Sequence, residues 1–190
     1  MPNVLIISPH FPPVNAPDMH RVRLSLGHYG AFGWHPVVLA MEPKHTEGVK
    51  DPLLLKTIPS DVTIRRVPAL PIEISRRLGV GNAALRGLPF LYKAGTQLLK
   101  TCRPNLIFIS TTQFSTMVLG RFWKQKYGVP YVLDMQDPWV YTPSWPQQDR
   151  PGGKHRFMRH LHRCLEPWAM RRVDGIMAVT DAYHQTLQQR

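Results

Sequence analysis

The chain has 190 residues, enough for one domain with a real core, since a domain of this length buries roughly 70% of its unfolded surface. Its hydrophobic content of 43% suits a globular protein, and no run approaches the roughly 18 apolar residues of a membrane-spanning helix. The formal net charge of +12 favours contact with phosphates, nucleic acid or an anionic membrane surface without choosing among them, while Cys102 and Cys164 lack zinc-site spacing and are expected to stay reduced.

Val4 to Ile7 forms a continuous apolar run that predicts a first strand, with no basic leader or cleavage site before it, so cytoplasmic residence is expected. The loop Ser8-Pro9-His10-Phe11-Pro12-Pro13 follows, and Asp18 is placed to cap a helix in which Met19, Val22, Leu26 and Tyr29 recur at helical spacing. Gly33 ends that helix, and Pro36 to Ala40 reads as the next strand. A short helical piece is predicted over Asp51 to Lys56 and a strand over Thr63 to Val67; residues 68 to 88, rich in proline and arginine, give no clear element.

Pro89 suits the first turn of a helix through Leu91, Ala94, Leu98 and Leu99, and Pro104 introduces a strand at Leu106 to Ile109. Ser115 is placed to cap a helix that Gly128 ends, and Tyr131 to Leu133 reads as a strand. Residues 142 to 153 are predicted to form a mobile loop. A basic helix from about Lys154, broken by Pro167, precedes a last strand at Gly175 to Val179. Alternating strands and helices predict an α/β fold: a Rossmann-like open parallel sheet with helices on both faces.

Three strand ends should open on one edge: Pro9 to Asp18, Ser110 to Ser115, and Asp134 to Trp139. Ligands of open α/β sheets bind at such an edge. Gly-x-Gly-x-x-Gly, the Walker lysine motif and Gly-x-Ser-x-Gly are all missing, which disfavours a dinucleotide enzyme, a P-loop NTPase and an α/β-hydrolase. Asp134 and Asp137 read as a strand-end site, with turn capping before Pro138 as the competing role. Thr111 and Thr112 have hydroxyls able to bond a ligand at this edge or to close an ST-turn. Arg21 is either a solvated helix-face cation or an anion contact, and His10 either an acid-base group or a structural loop residue.

In order and spacing, several segments together resemble the N-terminal half of GT-B glycosyltransferases, family four in particular. They are Val4 to Pro13, then Gly33-Trp34-His35-Pro36-Val37-Val38-Leu39, Asp51-Pro52-Leu53-Leu54, Arg103 to Phe108, Gly128 to Trp139, and Val173 to Thr180. The resemblance covers nearly the whole chain. It implies transfer of a sugar from a nucleotide-sugar donor to a glycan or lipid-linked acceptor, with no cofactor or metal beyond that donor. Residues 1–190 are then the acceptor-side Rossmann-like domain, probed by an acceptor through Asp134, Asp137, Thr111, Thr112 and His10. The cleft or donor-phosphate residues that the resemblance implies are Phe11, Pro12, Pro13, Asn15, Ala16 and Arg21.

Two positions depart from the family pattern: Val14-Asn15-Ala16-Pro17 replaces a Gly-Gly pair, and Gln136 stands where arginine is usual. The resemblance further implies a donor-binding C-terminal domain that these residues do not supply, so an isolated half is expected to be inactive. The alternative reading is a non-catalytic acceptor-binding or membrane-docking subunit of a split transferase.

Lys154, Arg156, Arg159, Arg163, Arg171 and Arg172 face a single acid, Glu166, between residues 154 and 172. This is either a solvated helix side or a peripheral contact with an anionic membrane on its inner face. Nucleic acid is disfavoured, because no known reading motif accompanies the charge.

Overall fold

The computed structural model describes residues 1–77, 82–140 and 153–188. Six strands form one parallel sheet: β1 (Asn3–Ile7), β3 (His35–Met41), β5 (Thr63–Val67), β6 (Leu106–Ser110), β7 (Tyr131–Met135) and β8 (Gly175–Ala178). Their spatial order is β5-β3-β1-β6-β7-β8. The chain winds outward from β1 to β5, returns to β6, and winds the other way, so the direction switches between β1 and β6. Ile7 pairs with Ile109, and Ser110 with Asp134, which brings the ends of β1, β6 and β7 level. A small antiparallel pair, β2 (Val14–Asn15) and β4 (Val49–Lys50), ties the first loop to the segment after β3.

The four central strands, β3, β1, β6 and β7, form where the sequence is Val-, Ile- and Leu-rich, as strands buried on both faces require. Leu5, Ile7, Leu39, Ile107 and Leu133 point into the larger core. That core is closed by α3 (Ala83–Thr101), α4 (Val118–Tyr127), α5 (Gly153–Met170) and α6 (Asp181–Gln188). Val4, Ile6, Val38 and Ala40 point the other way, against α1 (His20–Ser25) and the 3-10 turn that continues it to Phe32. A further short helix, α2 (Ile72–Arg77), precedes α3.

Gly33 and Gly128 close their helices with φ of 74° and 72°, the left-handed geometry that glycine adopts without a Cβ penalty. Gly120 plays another part: a Cβ there would collide with the Tyr131 ring, so its hydrogen lets α4 lie close on β7.

Several expected boundaries move. Asn82, not Pro89, starts α3: its side chain accepts from the Ala84 N–H at 2.7 Å, and Pro89 sits inside the helix. Pro167 does not break α5, which runs through it to Met170. Ser115 caps nothing, since a 3-10 turn over Phe114–Met117 leads into α4. The predicted piece near Asp51 is a 3-10 helix, Pro52–Thr57, whose N-cap is Asp51 through the Leu53 N–H. The predicted loop before α5 and the side chain of Lys154 lie outside the described residues.

Candidate functional site

The loops that leave β1, β6 and β7 meet over the switch between β1 and β6, the position where open α/β sheets form their ligand crevice. Asp18 is the hub. It makes no helix-cap bond and is 2% exposed. Its carboxylate lies 2.9 and 3.1 Å from His10 Nδ1, and accepts from the Thr111 hydroxyl at 2.9 Å and the Thr112 N–H at 3.2 Å. Burial by itself lifts this carboxyl, but the contacts from His10, Thr112 and Thr111 outweigh it and hold the group below its ordinary value of 3.8. An ionised Asp18 accepts a hydrogen bond from the Nδ1–H, which leaves His10 Nε2 as the acceptor nitrogen.

His10 borders an open cleft of about 270 Å³, lined also by Glu47, Asn82, Ala83 and Gln113. Glu47 and Asn82 come from the segments after β3 and before α3, far from His10 in sequence. Their arrival at one place is set by the crossovers, which no local pattern encodes.

A second arm of the network runs to β7. Gln136 donates from its amide to the Asp18 carbonyl and to the Ser110 hydroxyl, each at 2.9 Å. Ser110 donates to Asp134 at 2.8 Å, and Arg21 reaches the other Asp134 oxygen at 2.8 Å. Burial holds the Asp134 carboxyl above its ordinary value; the Ser110 hydroxyl and the Arg21 charge oppose this without overcoming it.

These contacts sort the expected residues. His10, Thr111 and Thr112 do come together, but Thr111 is fully buried, bonds Asp18 and accepts the Gln113 N–H at 2.8 Å, so it closes an ST-turn. Asp134 is fully buried with both oxygens occupied, which corrects its expected contact with an acceptor hydroxyl: it is an anchor between α1 and the sheet. Arg21 supplies a cation to Asp134, although Gln136 stands where the family usually has arginine. Asp137 is exposed, and its carbonyl accepts from the Tyr183 hydroxyl at 3.3 Å.

In the first loop, Phe11 and Ala16 are buried and Phe11 packs in the second core, so neither lines a cleft. Pro12 and Pro13 hold the loop through their carbonyls, which accept from Arg66 at 2.5 Å and from the Asp51 N–H at 2.7 Å. Asn15 is exposed and contacts His20 at 3.2 Å. Sequence reasoning missed the roles of Asp18, which it places as a helix cap, and of Gln136, which it marks only as a departure from the family pattern. Among the described residues no group of three metal-ligating side chains occurs.

The glycosyl transferase 4-like domain family matches residues 20–190. The chain belongs to this family. No match was found among curated proteins. This glycosyl transferase 4-like domain is similar in fold to sucrose-phosphate synthase of Thermosynechococcus elongatus, with a TM-score of 0.62 and 13% identity over 100% of the chain and 45% of that structure. Apo UGT2 of Phytolacca americana gives 0.59 and 13%, over 96% of the chain and 46% of the structure. Arabidopsis thaliana UGT89C1 complexed with UDP-L-rhamnose gives 0.57 and 16%, over 100% and 49%. The domain therefore spans about half the length of these three solved structures.

Proposed function

We propose that this domain is the acceptor-side half of a glycosyltransferase that moves a sugar from a nucleotide-sugar donor to a glycan or lipid-linked acceptor. The observation that carries the reading is the His10 to Asp18 contact at the sheet's switch point, beside an open polar cleft. Asp18 fixes the imidazole by Nδ1, and the remaining nitrogen accepts the proton of an acceptor hydroxyl placed in the cleft. As that proton leaves, the hydroxyl oxygen attacks the anomeric carbon, and the bond to the nucleotide diphosphate breaks with its electron pair on the departing phosphate. General base assistance of this kind contributes about 10²- to 10⁴-fold.

The polar lining by Glu47, Asn82 and Gln113 suits a hydroxyl-rich acceptor, since carboxylates and amides pair with sugar hydroxyls. The donor is assigned to a second Rossmann-like half, so these 190 residues alone transfer no sugar. The test is transfer by the full-length protein with a panel of nucleotide sugars, wild type against His10→Gln. A fall of about 10²-fold or more in kcat supports the reading. Unchanged kcat with every active donor overturns the role of His10.

A further inference from the structure

Between Glu73 and Asp134 the sequence carries nine lysines and arginines and no acid. That stretch builds α3 and α4, and the neighbouring α5 adds one carboxylate, Glu166, which is 3% exposed. The outer surface of this helical layer is thus basic with no exposed carboxylate among the described residues of the three helices. Lys93 of α3, Lys126 of α4, and Arg156 and Arg163 of α5 are all exposed on it.

Aromatic rings stand among these cations. Tyr92 is 37% exposed, Phe122 49% and Phe157 62%. Tyr92 meets Phe122 edge to face at 6.5 Å, and Phe122 rests on Trp168 at 4.7 Å, so one aromatic ridge crosses all three helices. Phe157 precedes Trp168 by three helical turns and returns to the same side of α5. A phenylalanine held in water forgoes about 25 cal/mol for each Å² it would bury in an apolar phase. Exposed rings interleaved with cations are the surface of a helix that lies in a membrane interface.

We propose that the outer face of α3, α4 and α5 is a docking surface for a bilayer rich in anionic phospholipid. Lys93, Lys126, Arg156 and Arg163 engage the headgroups, while Phe122 and Phe157 enter the headgroup–acyl boundary. A bilayer suits the rings better than nucleic acid does, because Phe122 packs on its neighbours instead of standing apart to stack with bases. No helix among the described residues is long and apolar enough to cross a membrane, so the contact is peripheral. α3 begins at Ala83 on the cleft rim beside His10, which sets the cleft at the edge of the docked face. Together with the acceptor role proposed above, on which this one step rests, that placement favours a lipid-linked acceptor.

The test is flotation of the full 190-residue chain with vesicles of phosphatidylcholine alone and of phosphatidylcholine mixed equally with phosphatidylglycerol. Binding is expected to the mixed vesicles only, weakening as salt is raised. Arg156→Gln and Arg163→Gln each lower partitioning about fivefold, the equivalent of about 1 kcal/mol per cation. Phe122→Ser with Phe157→Ser lowers it several-fold at unchanged charge, and circular dichroism verifies the fold of each variant. Equal binding to both vesicle types, no binding to either, indifference to the phenylalanine changes, or preferential capture by duplex DNA or RNA in competition would each overturn the proposal. None of these readouts depends on sugar transfer, so docking and the acceptor role stand or fall separately.

Discussion

The guanidinium of Arg21 reaches the carboxylate of Asp134 at 2.8 Å across 113 residues of sequence, and so ties the first helix to the end of β7. Asp134 is fully buried, whereas the Arg21 side chain is 37% exposed. Removing the cation leaves a buried carboxylate with one partner fewer, a defect that costs several kcal/mol in a dry site. Water reaches this pair from the arginine side and softens the loss. Arg21→Met is expected to destabilise the chain by about 1–3 kcal/mol in urea unfolding.

Asp18→Asn keeps the shape of the hub but changes which proton His10 carries. An amide can present an N–H to Nδ1, which drives the imidazole proton to Nε2 and removes the base from the cleft. In the full-length protein, kcat is expected to fall about 10²- to 10⁴-fold. The lost carboxylate contacts lower the melting temperature as well, so the tautomer effect is read from a fall in kcat that far exceeds any rise in KM and that a variant of equal melting temperature elsewhere in the chain, such as Gly120→Ala, does not show.

The two buried carboxylates shape acid unfolding in opposite senses. Asp18 is held below its ordinary value of 3.8, so its contribution is complete above that value and is lost as pH falls through the lower folded value. Asp134 is held above 3.8, so its contribution is complete below that value and is lost as pH rises through the higher folded value. Melting temperature measured through the acid range should therefore fall less steeply in Asp18→Asn than in wild type, and more steeply in Asp134→Asn. The same slope in all three proteins would contradict both assignments.

All six strands of the main sheet were legible: the runs at Val4, Pro36, Leu106, Tyr131 and Gly175 are mainly apolar and lie beside Gly, Pro or Asn, while the edge strand at Thr63 sets β-branched Thr63, Ile64 and Val67 around two arginines before Pro68. The glycine stops at Gly33 and Gly128 were legible for the same local reason. The site was less so. His10 and Thr111 were visible as strand-end residues, yet Asp18 looked like a helix cap and is instead the acceptor of both. Capping rules describe an aspartate's nearest amides; here partners at β6, brought in by the crossover, outcompete them. Asp134 shows the reverse error, since its strand-end position suggested exposure to ligand while its register opposite Ser110 buries it.

Gly120 permits the approach of α4 to β7, and a methyl group has nowhere to go because the Tyr131 ring behind it is fixed. The Tyr131 hydroxyl donates to the Ala169 carbonyl at 2.5 Å and the ring is fully buried. Gly120→Ala would gain helix propensity of about 0.5–1 kcal/mol in an open site. Overpacking typically costs about 1–3 kcal/mol and wins here. The expected result is net destabilisation in chemical denaturation, whereas Gly27→Ala, with open space around its Cβ position, should be near neutral or slightly stabilising.

Gln136 is the strut between the two arms of the site, because a single amide spans the Asp18 carbonyl and the Ser110 hydroxyl. Leucine at this position fills a similar volume and abandons both acceptors. Each lost bond is worth about 1 kcal/mol, so Gln136→Leu should lower stability by about 2 kcal/mol. The functional consequence follows from geometry: the Asp18 segment loses its tether to β7 and no longer holds His10 at one setting. In the full-length protein kcat should therefore fall more than the acceptor KM rises, and amide hydrogen exchange should quicken around Asp18 and Met19. Gln136→Glu separates charge from reach, since the carboxylate accepts from Ser110 but cannot donate to the Asp18 carbonyl. Recovery of full activity in Gln136→Glu would show that the amide donor to Asp18 is dispensable.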